Sequence, residues 1–419
     1  FGEDPLSALE HVALRHPSTR FRDLMLGYTT TLRSGGDVVH YLEIRTRELF
    51  EARANEIKTI MGRLSSYLEV YTIFGVIISV TLFVFFSVSG AITAAQAMRT
   101  PGEVAISMDI SMPSLYNFLL LPMLGVGIAF AIHLNQPRTP VSYGRVYALL
   151  ITLIPISIAA FIVFLIFTGG IDILMGVVNL KVVKSLVISA TAALLTLSIP
   201  VWLVYRAMVK GYRGIVRSTA DFLRDLSEVR KTGLAPEKCI QMLSARDYRA
   251  LTPVITRASA ALSIGLSLED ALRRALRGIK EWFVIASFRF LADSIVVGGG
   301  SPEVIDVLAR FTQILSELEE ETRRRMRTQV ILPYFGAVML ATMPIIILYM
   351  LLTMANISLE TAAPLLLVIG LGNLINSYMM GLIAGKSSQA TIAAGFLHAA
   401  ILTTVSATAL VATLTYLGA

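Results

Sequence analysis

Cysteine is almost absent from this chain: Cys239 stands alone among 419 residues. A single thiol excludes a disulfide within the chain and any cysteine-based metal cluster. The five histidines, His11, His16, His40, His133 and His398, are scattered without metal-ligand spacing. No H-E-x-x-H, G-x-S-x-G or paired-cysteine pattern occurs, so nothing indicates an enzyme and no cofactor is implied. Charge is also scarce, at 16% of residues. It is nearly missing from the long apolar runs, where only Glu69, His133 and His398 intrude. A charge at mid-bilayer costs roughly 2.5–3.5 kcal/mol even on a lenient scale, and carriers of ions or polar solutes usually tolerate several. No alternating stretch indicates a sheet. Phe1 brings neither an initiator Met nor a signal-peptide pattern, so the natural N-terminus is expected to extend further.

What is abundant is apolar residue. Hydrophobic residues make up 55% of the chain and mean hydropathy is +0.70, values of a polytopic membrane protein. An apolar run of about 20 residues crosses a bilayer as a helix. Seven runs qualify: roughly Tyr67–Ala94, Leu115–Leu134, Val146–Phe167, Ser185–Tyr205, Val330–Met354, Ala363–Ala384 and Thr391–Leu417. The expected fold class is all-α, a polytopic membrane protein with seven transmembrane helices and two cytosolic helical-bundle repeats. Residues 1–66 form the first bundle, 67–205 four spans, 206–329 the second bundle and 330–419 three spans. Of the 36 Lys and Arg residues, 33 fall in 1–66, 135–145, 206–329 and 385–390. Positive charge favours the cytosolic side, which puts the N-terminus and both bundles inside the cell membrane and the C-terminus outside.

The two water-soluble stretches read as copies. Val38-Val39, Leu42, Thr46 and Leu49 follow Gly35-Gly36; Val304-Ile305, Leu308, Thr312 and Leu315 follow Gly298-Gly299-Gly300, at a constant offset of 266. Ala8 and Leu9 repeat as Ala271 and Leu272, and Phe21-Arg22 with Leu24 as Phe288-Arg289 with Leu291. Glycines and prolines divide 206–329 into about six helices, and the first copy into three or four. Ser267 and Ser301-Pro302 read as helix starts. In each copy a long charged helix runs straight into a span, over Arg45–Ser87 and Ile305–Leu352. These would act as rigid connections unless broken at Ser65-Ser66 or at Gln329–Pro333.

The densest charge lies on Glu317–Arg327, where Glu319, Glu320 and Glu321 stand four residues before Arg323, Arg324 and Arg325, in the favoured helical order. Two readings stay open. The run is a solvated helix with its basic end at anionic headgroups, or Glu319, Glu320, Arg323, Arg324, Arg325 and Arg327 form a contact surface for a cytosolic partner. Within the spans, Asn373 and Asn376 with neighbouring glycines suit helix–helix packing, and His398 suits the same role; a polar pathway is the alternative. Gly381-Leu-Ile-Ala-Gly385-Lys386-Ser387 is one residue short of a phosphate-binding loop and follows a span, so it reads as a tight cytosolic turn. The basic surface lacks interleaved aromatics or a known module, so no nucleic acid is expected.

Three stretches carry a family likeness. They are Gly265-Leu-Ser-Leu-Glu-Asp-Ala271-Leu272, Phe288-Arg289-Phe-Leu291, and Gly298-Gly-Gly-Ser-Pro-Glu-Val-Ile-Asp-Val-Leu308. Together with the overall arrangement they resemble the platform proteins of type IV pilus-like machines, the type II secretion system F family. Gly381 to Lys386 and Gly395 to His398, on two extra final spans, look like its archaeal branch, which builds the archaellum or adhesion pili. The resemblance implies a non-enzymatic scaffold in the lipid bilayer. It would couple a cytosolic hexameric ATPase to insertion of pilin-like or archaellin subunits, and would work as a homodimer or other small oligomer. A secondary transporter is the alternative function, and a membrane-embedded enzyme a more distant one.

Overall fold

A computed structural model of the chain describes residues 4–99, 110–136, 143–210, 214–279, 281–298, 300–354, 358–389 and 391–416. Among them every regular element is helical. The chain divides into two units, Phe1–Met61 and Gly62–Ala419.

The first unit holds α1 (Pro5–Arg15), α2 (Thr19–Arg33) and the start of α3 (Val38–Thr72). Asp4 caps α1 by accepting from the Ser7 N–H at 3.4 Å, with Pro5 in the first turn, where its missing N–H costs nothing. Ser18 caps α2 by accepting from the Phe21 N–H. Gly35, at φ +70°, makes the left-handed turn that leads into α3. The Tyr41 hydroxyl donates to the carbonyls of Asp23 and Leu24, and Arg20 pairs with Glu56 at 3.3 Å. Only Ala13 and Thr29 are buried among the described residues of this unit.

In the second unit α3 passes unbroken through Ser65 and Ser66 into a π-helical stretch, Ile73–Ile78, and α4 (Ser79–Arg99). Then come α5 (Ser111–Leu115), a second π stretch at Tyr116–Leu120, α6 (Leu121–Asn135), α7 (Gly144–Phe167) and α8 (Leu180–Lys210). A six-helix bundle follows: α9 (Ile215–Arg230), α10 (Pro236–Leu243), α11 (Thr252–Ser263), α12 (Leu268–Ala275), α13 (Trp282–Gly298) and α14 (Pro302–Gln329). Beyond it lie α15 (Ile331–Met354), α16 (Ala363–Gln389) and α17 (Ile392–Tyr416).

The bundle forms because α9 carries apolar residues at helical spacing. Phe222, Leu223 and Leu226 are fully buried. Phe222 sits 5.7 Å from the Phe288 ring and meets Tyr248 edge-on at 5.3 Å. Each large side chain so buried contributes roughly 1.5–3 kcal/mol. The predicted starts are in place: Ser267 accepts from the Asp270 N–H, and Ser301 precedes Pro302 in the first turn of α14.

Seven helical stretches are long and apolar enough to cross a membrane, and they fall on the seven predicted runs: Val38–Thr93, Ser111–Asn135, Gly144–Phe167, Leu180–Val209, Pro333–Met354, Leu359–Gln389 and Ile392–Tyr416. α16 is the central one, packed against α17, α15, α8 and α6, while α7 leans mainly on α8. Two expectations need correction. The rigid connection over Ile305–Leu352 is interrupted at Val330, where α14 gives way to α15. Pro333 explains the break, since a proline four residues on removes the hydrogen bond to the Gln329 carbonyl and crowds it. Residues 381–387 are not a turn but part of α16, which continues to Gln389. That leaves no loop there to wrap a phosphate.

Candidate functional site

α14 presents two surfaces. Its inner face, Ile305, Leu308, Ala309, Thr312 and Ser316, is buried in the bundle, and α9 packs along it. Its outer face and last turns carry the charged run. Glu317 and Glu320 are exposed, as are Glu321 and Arg324. Arg217 of α9 donates to Glu320 at 2.8 Å, tying the two helices together at the rim. Both partners are about half exposed, so the pair is worth roughly 0.2–1 kcal/mol. Its value is positional, since it holds the acidic part of the run beside α9. The side chains of Glu319, Arg323, Arg325 and Arg327 lie outside the described residues.

The same bundle has a groove, along α9, that the sequence did not reveal. It measures about 380 Å³ and is lined by Ser218, Asp221 and Asp225 of α9 and by Arg246, Asp247, Tyr248 and Arg249 of the loop after α10. Asp225 accepts from Arg246 at 2.6 Å and from the Tyr248 hydroxyl at 2.8 Å. Burial, and then the Asp225 carboxylate, push the Tyr248 phenol well above its ordinary range, so it stays a donor. The Thr252 hydroxyl and the Arg249 N–H both donate to Asp247 and hold its carboxyl below the ordinary aspartate value. Arg249 is the one non-glycine described with positive φ, at +52°. The charged residues come from positions some twenty apart and meet only when α9 and α10 pack. The polar run Ser244–Arg249 between two helices was the available signal.

The membrane residues singled out in the sequence all contact other helices. The Asn376 amide donates to the Gly75 carbonyl at 2.6 Å and its oxygen accepts from the Tyr71 hydroxyl at 3.1 Å. Gly75 lies in the first π stretch, where the shifted hydrogen-bond ladder frees a carbonyl for such a partner. Asn373 donates to the Leu340 carbonyl of α15. His398 of α17 lies 3.0 Å from the Tyr334 hydroxyl of α15. These bonds join α16 and α17 to the first and fifth spans. The α16–α17 contact is closer still: a Cβ added at Gly385 would fall 2.0 Å from Gly395 Cα, and one at Gly381 2.3 Å from the Ala399 backbone. Only glycines let backbones approach so closely.

Among the described residues no three His, Cys, Asp or Glu side chains cluster as a metal site. A family model for the type II secretion system (T2SS) protein F matches residues 1–86 and 222–353. The two matched segments contain α1–α3 and most of the α9–α14 bundle, each with most of the span that follows it. No curated protein and no solved structure matches the chain.

Proposed function

The chain belongs to the type II secretion system protein F family, and we propose that it is the membrane platform of a pilus-like assembly or secretion machine. In this reading the α9–α14 bundle and the first unit face the cytosol and engage a hexameric ATPase. The membrane helices receive pilin-like or archaellin subunits, and motor movement passes to the growing filament. The protein carries out no bond-making chemistry of its own. α16 and α17 lie beyond the matched residues, as the two added spans of an archaeal-type platform would.

The observation that carries the reading is the placement of α14. Its inner face packs under α9, Glu317, Glu320, Glu321 and Arg324 on its outer side are solvent-exposed, and a single-residue turn separates it from the span α15. Because α14 breaks from α15 at Val330, a push on its exposed side would travel through the contacts α14 makes with α15 and α16 instead of along one continuous helix. A flat charged surface suits a large protein partner, because complementary charge sets register and encounter rate. The cytosolic placement rests on the basic residues beside the spans, among them Arg206 and Arg324.

The test is capture of the hexameric ATPase by the full chain in lipid nanodiscs. Reversing Arg323, Arg324 and Arg325 to Glu should weaken capture at least ~10-fold, and capture by the unaltered chain should fall with added salt. Undiminished capture by the reversed chain removes α14 from the interface.

A further inference from the structure

α17 carries six hydroxyl side chains, and they divide by face. Thr404, Thr408, Thr413 and Thr415 each donate to the carbonyl four residues back in their own helix, at 2.7–2.8 Å. Thr403 and Ser406 are fully buried, and their hydroxyls have no hydrogen-bond partner among the described residues. α16 shows the same exception. Ser387 and Ser388 bond to carbonyls of their own helix, but the fully buried Ser377 hydroxyl and the Asn373 side-chain oxygen are unbonded among the described residues.

These four atoms belong to one place. Gly385 meets Gly395 and Gly381 meets Ala399, so the two helices run antiparallel with those residues face to face. One turn further along each stripe, Ser377 comes opposite Thr403, and the next turn brings Asn373 opposite Ser406. The Asn373 amide also donates to the Leu340 carbonyl, which puts α15 at the same junction. Ser377 and Thr403 lie near the middle of α16 and α17, the depth at which hydrocarbon supplies no partner.

We propose that this seam between α15, α16 and α17 is a binding site for ordered water, held by Asn373, Ser377, Thr403 and Ser406. Hydroxyls both donate and accept and the Asn373 oxygen accepts, a mix that matches water. A buried water typically makes about three bonds to groups otherwise unsatisfied. A cation would bring its charge to mid-bilayer, and α15, α16 and α17 carry no carboxylate to balance it. The site stands whether or not the chain is a platform.

Two measurements on the full chain test it. The first is reversible unfolding read from Trp202, with Trp282→Phe as background. Ser377→Ala and Thr403→Val should each raise the unfolding constant about 5-fold, the loss of one hydrogen bond. Together they should raise it less than ~10-fold, short of the ~25-fold product, because the two hydroxyls share a partner. Replacing sodium chloride by choline chloride should leave the midpoint in place. The second is solid-state NMR in lipid bilayers. Magnetisation should pass from water protons to the Ser377 and Thr403 side chains well above its transfer to Ala399, which is equally buried and lacks a polar side chain. A product-like double variant assigns each hydroxyl to its own helix, and an unfolding constant that falls shows groups left unbonded. A midpoint that moves with sodium marks a cation site. Coupling without transfer from water marks a direct bond between the side chains. Each of these results overturns the proposal.

Discussion

Replacing Gly385 by Ala probes the tightest contact in the membrane half. The new Cβ would lie 2.0 Å from Gly395 Cα and 2.2 Å from its nitrogen, against the 3.5–4.0 Å that carbon atoms prefer. The obstacle is backbone, so no side chain can rotate away, and α16 and α17 must separate by more than about 1 Å. Overpacking of this kind costs typically 1–3 kcal/mol, and in lipid the loss is felt directly because close van der Waals packing is what holds such helices together. Since α8 packs on α17 as well, the disturbance spreads to a third span. Gly127 is the control: it lies in the span α6, and a Cβ there meets nothing within 4 Å. Gly127→Ala should be neutral or stabilising by up to ~1 kcal/mol through helix propensity. The two tryptophans permit a clean assay, because Trp202 lies in α8 and Trp282 in the bundle. With Trp282→Phe as background, denaturant unfolding followed by Trp202 fluorescence should show Gly385→Ala at least ~2 kcal/mol less stable than Gly127→Ala. Equal stability of the two variants would refute the packing argument.

Three further outcomes are expected. Phe222→Ala should cost the bundle ~3–5 kcal/mol, read from Trp282, while the Trp202 transition stays in place. Asn376→Ala removes the bonds to Gly75 and Tyr71 and should lower membrane-domain stability by ~1–2 kcal/mol, the scale of two interhelical hydrogen bonds in lipid. The depressed Asp247 carboxyl favours the folded state above the ordinary aspartate value near pH 4, and this contribution is lost as pH falls below it. Thr252→Val, which removes the hydroxyl donor, should therefore flatten the acid limb of a Trp282 unfolding profile; an unchanged limb would contradict the assignment.

Much of this fold was legible because its signals are local. Apolar runs of the required length mark the seven spans, and glycines and prolines at 214, 233, 236, 253 and 265 mark the bundle turns. Three features were not, each for a tertiary reason. The carbonyl of Gly75 in the first π stretch finds its partner in Asn376, some three hundred residues away. The Asp225–Arg246–Tyr248 groove exists only once α9 and α10 pack. Lys386 and Ser387 look like a loop by polarity, yet both are buried because the glycines before them draw α16 against α17. The charged run on α14 was visible as composition, but its tie to Arg217 was not.

The central claim is that the α9–α14 bundle couples a motor to the membrane. The most direct test is the ATP turnover of the partner hexameric ATPase, measured with and without the full chain in nanodiscs. Turnover should rise when the chain is added and return to the unstimulated rate with Arg323, Arg324 and Arg325 reversed to Glu. Unaltered turnover with the chain present, or stimulation that survives the reversal, would contradict the account.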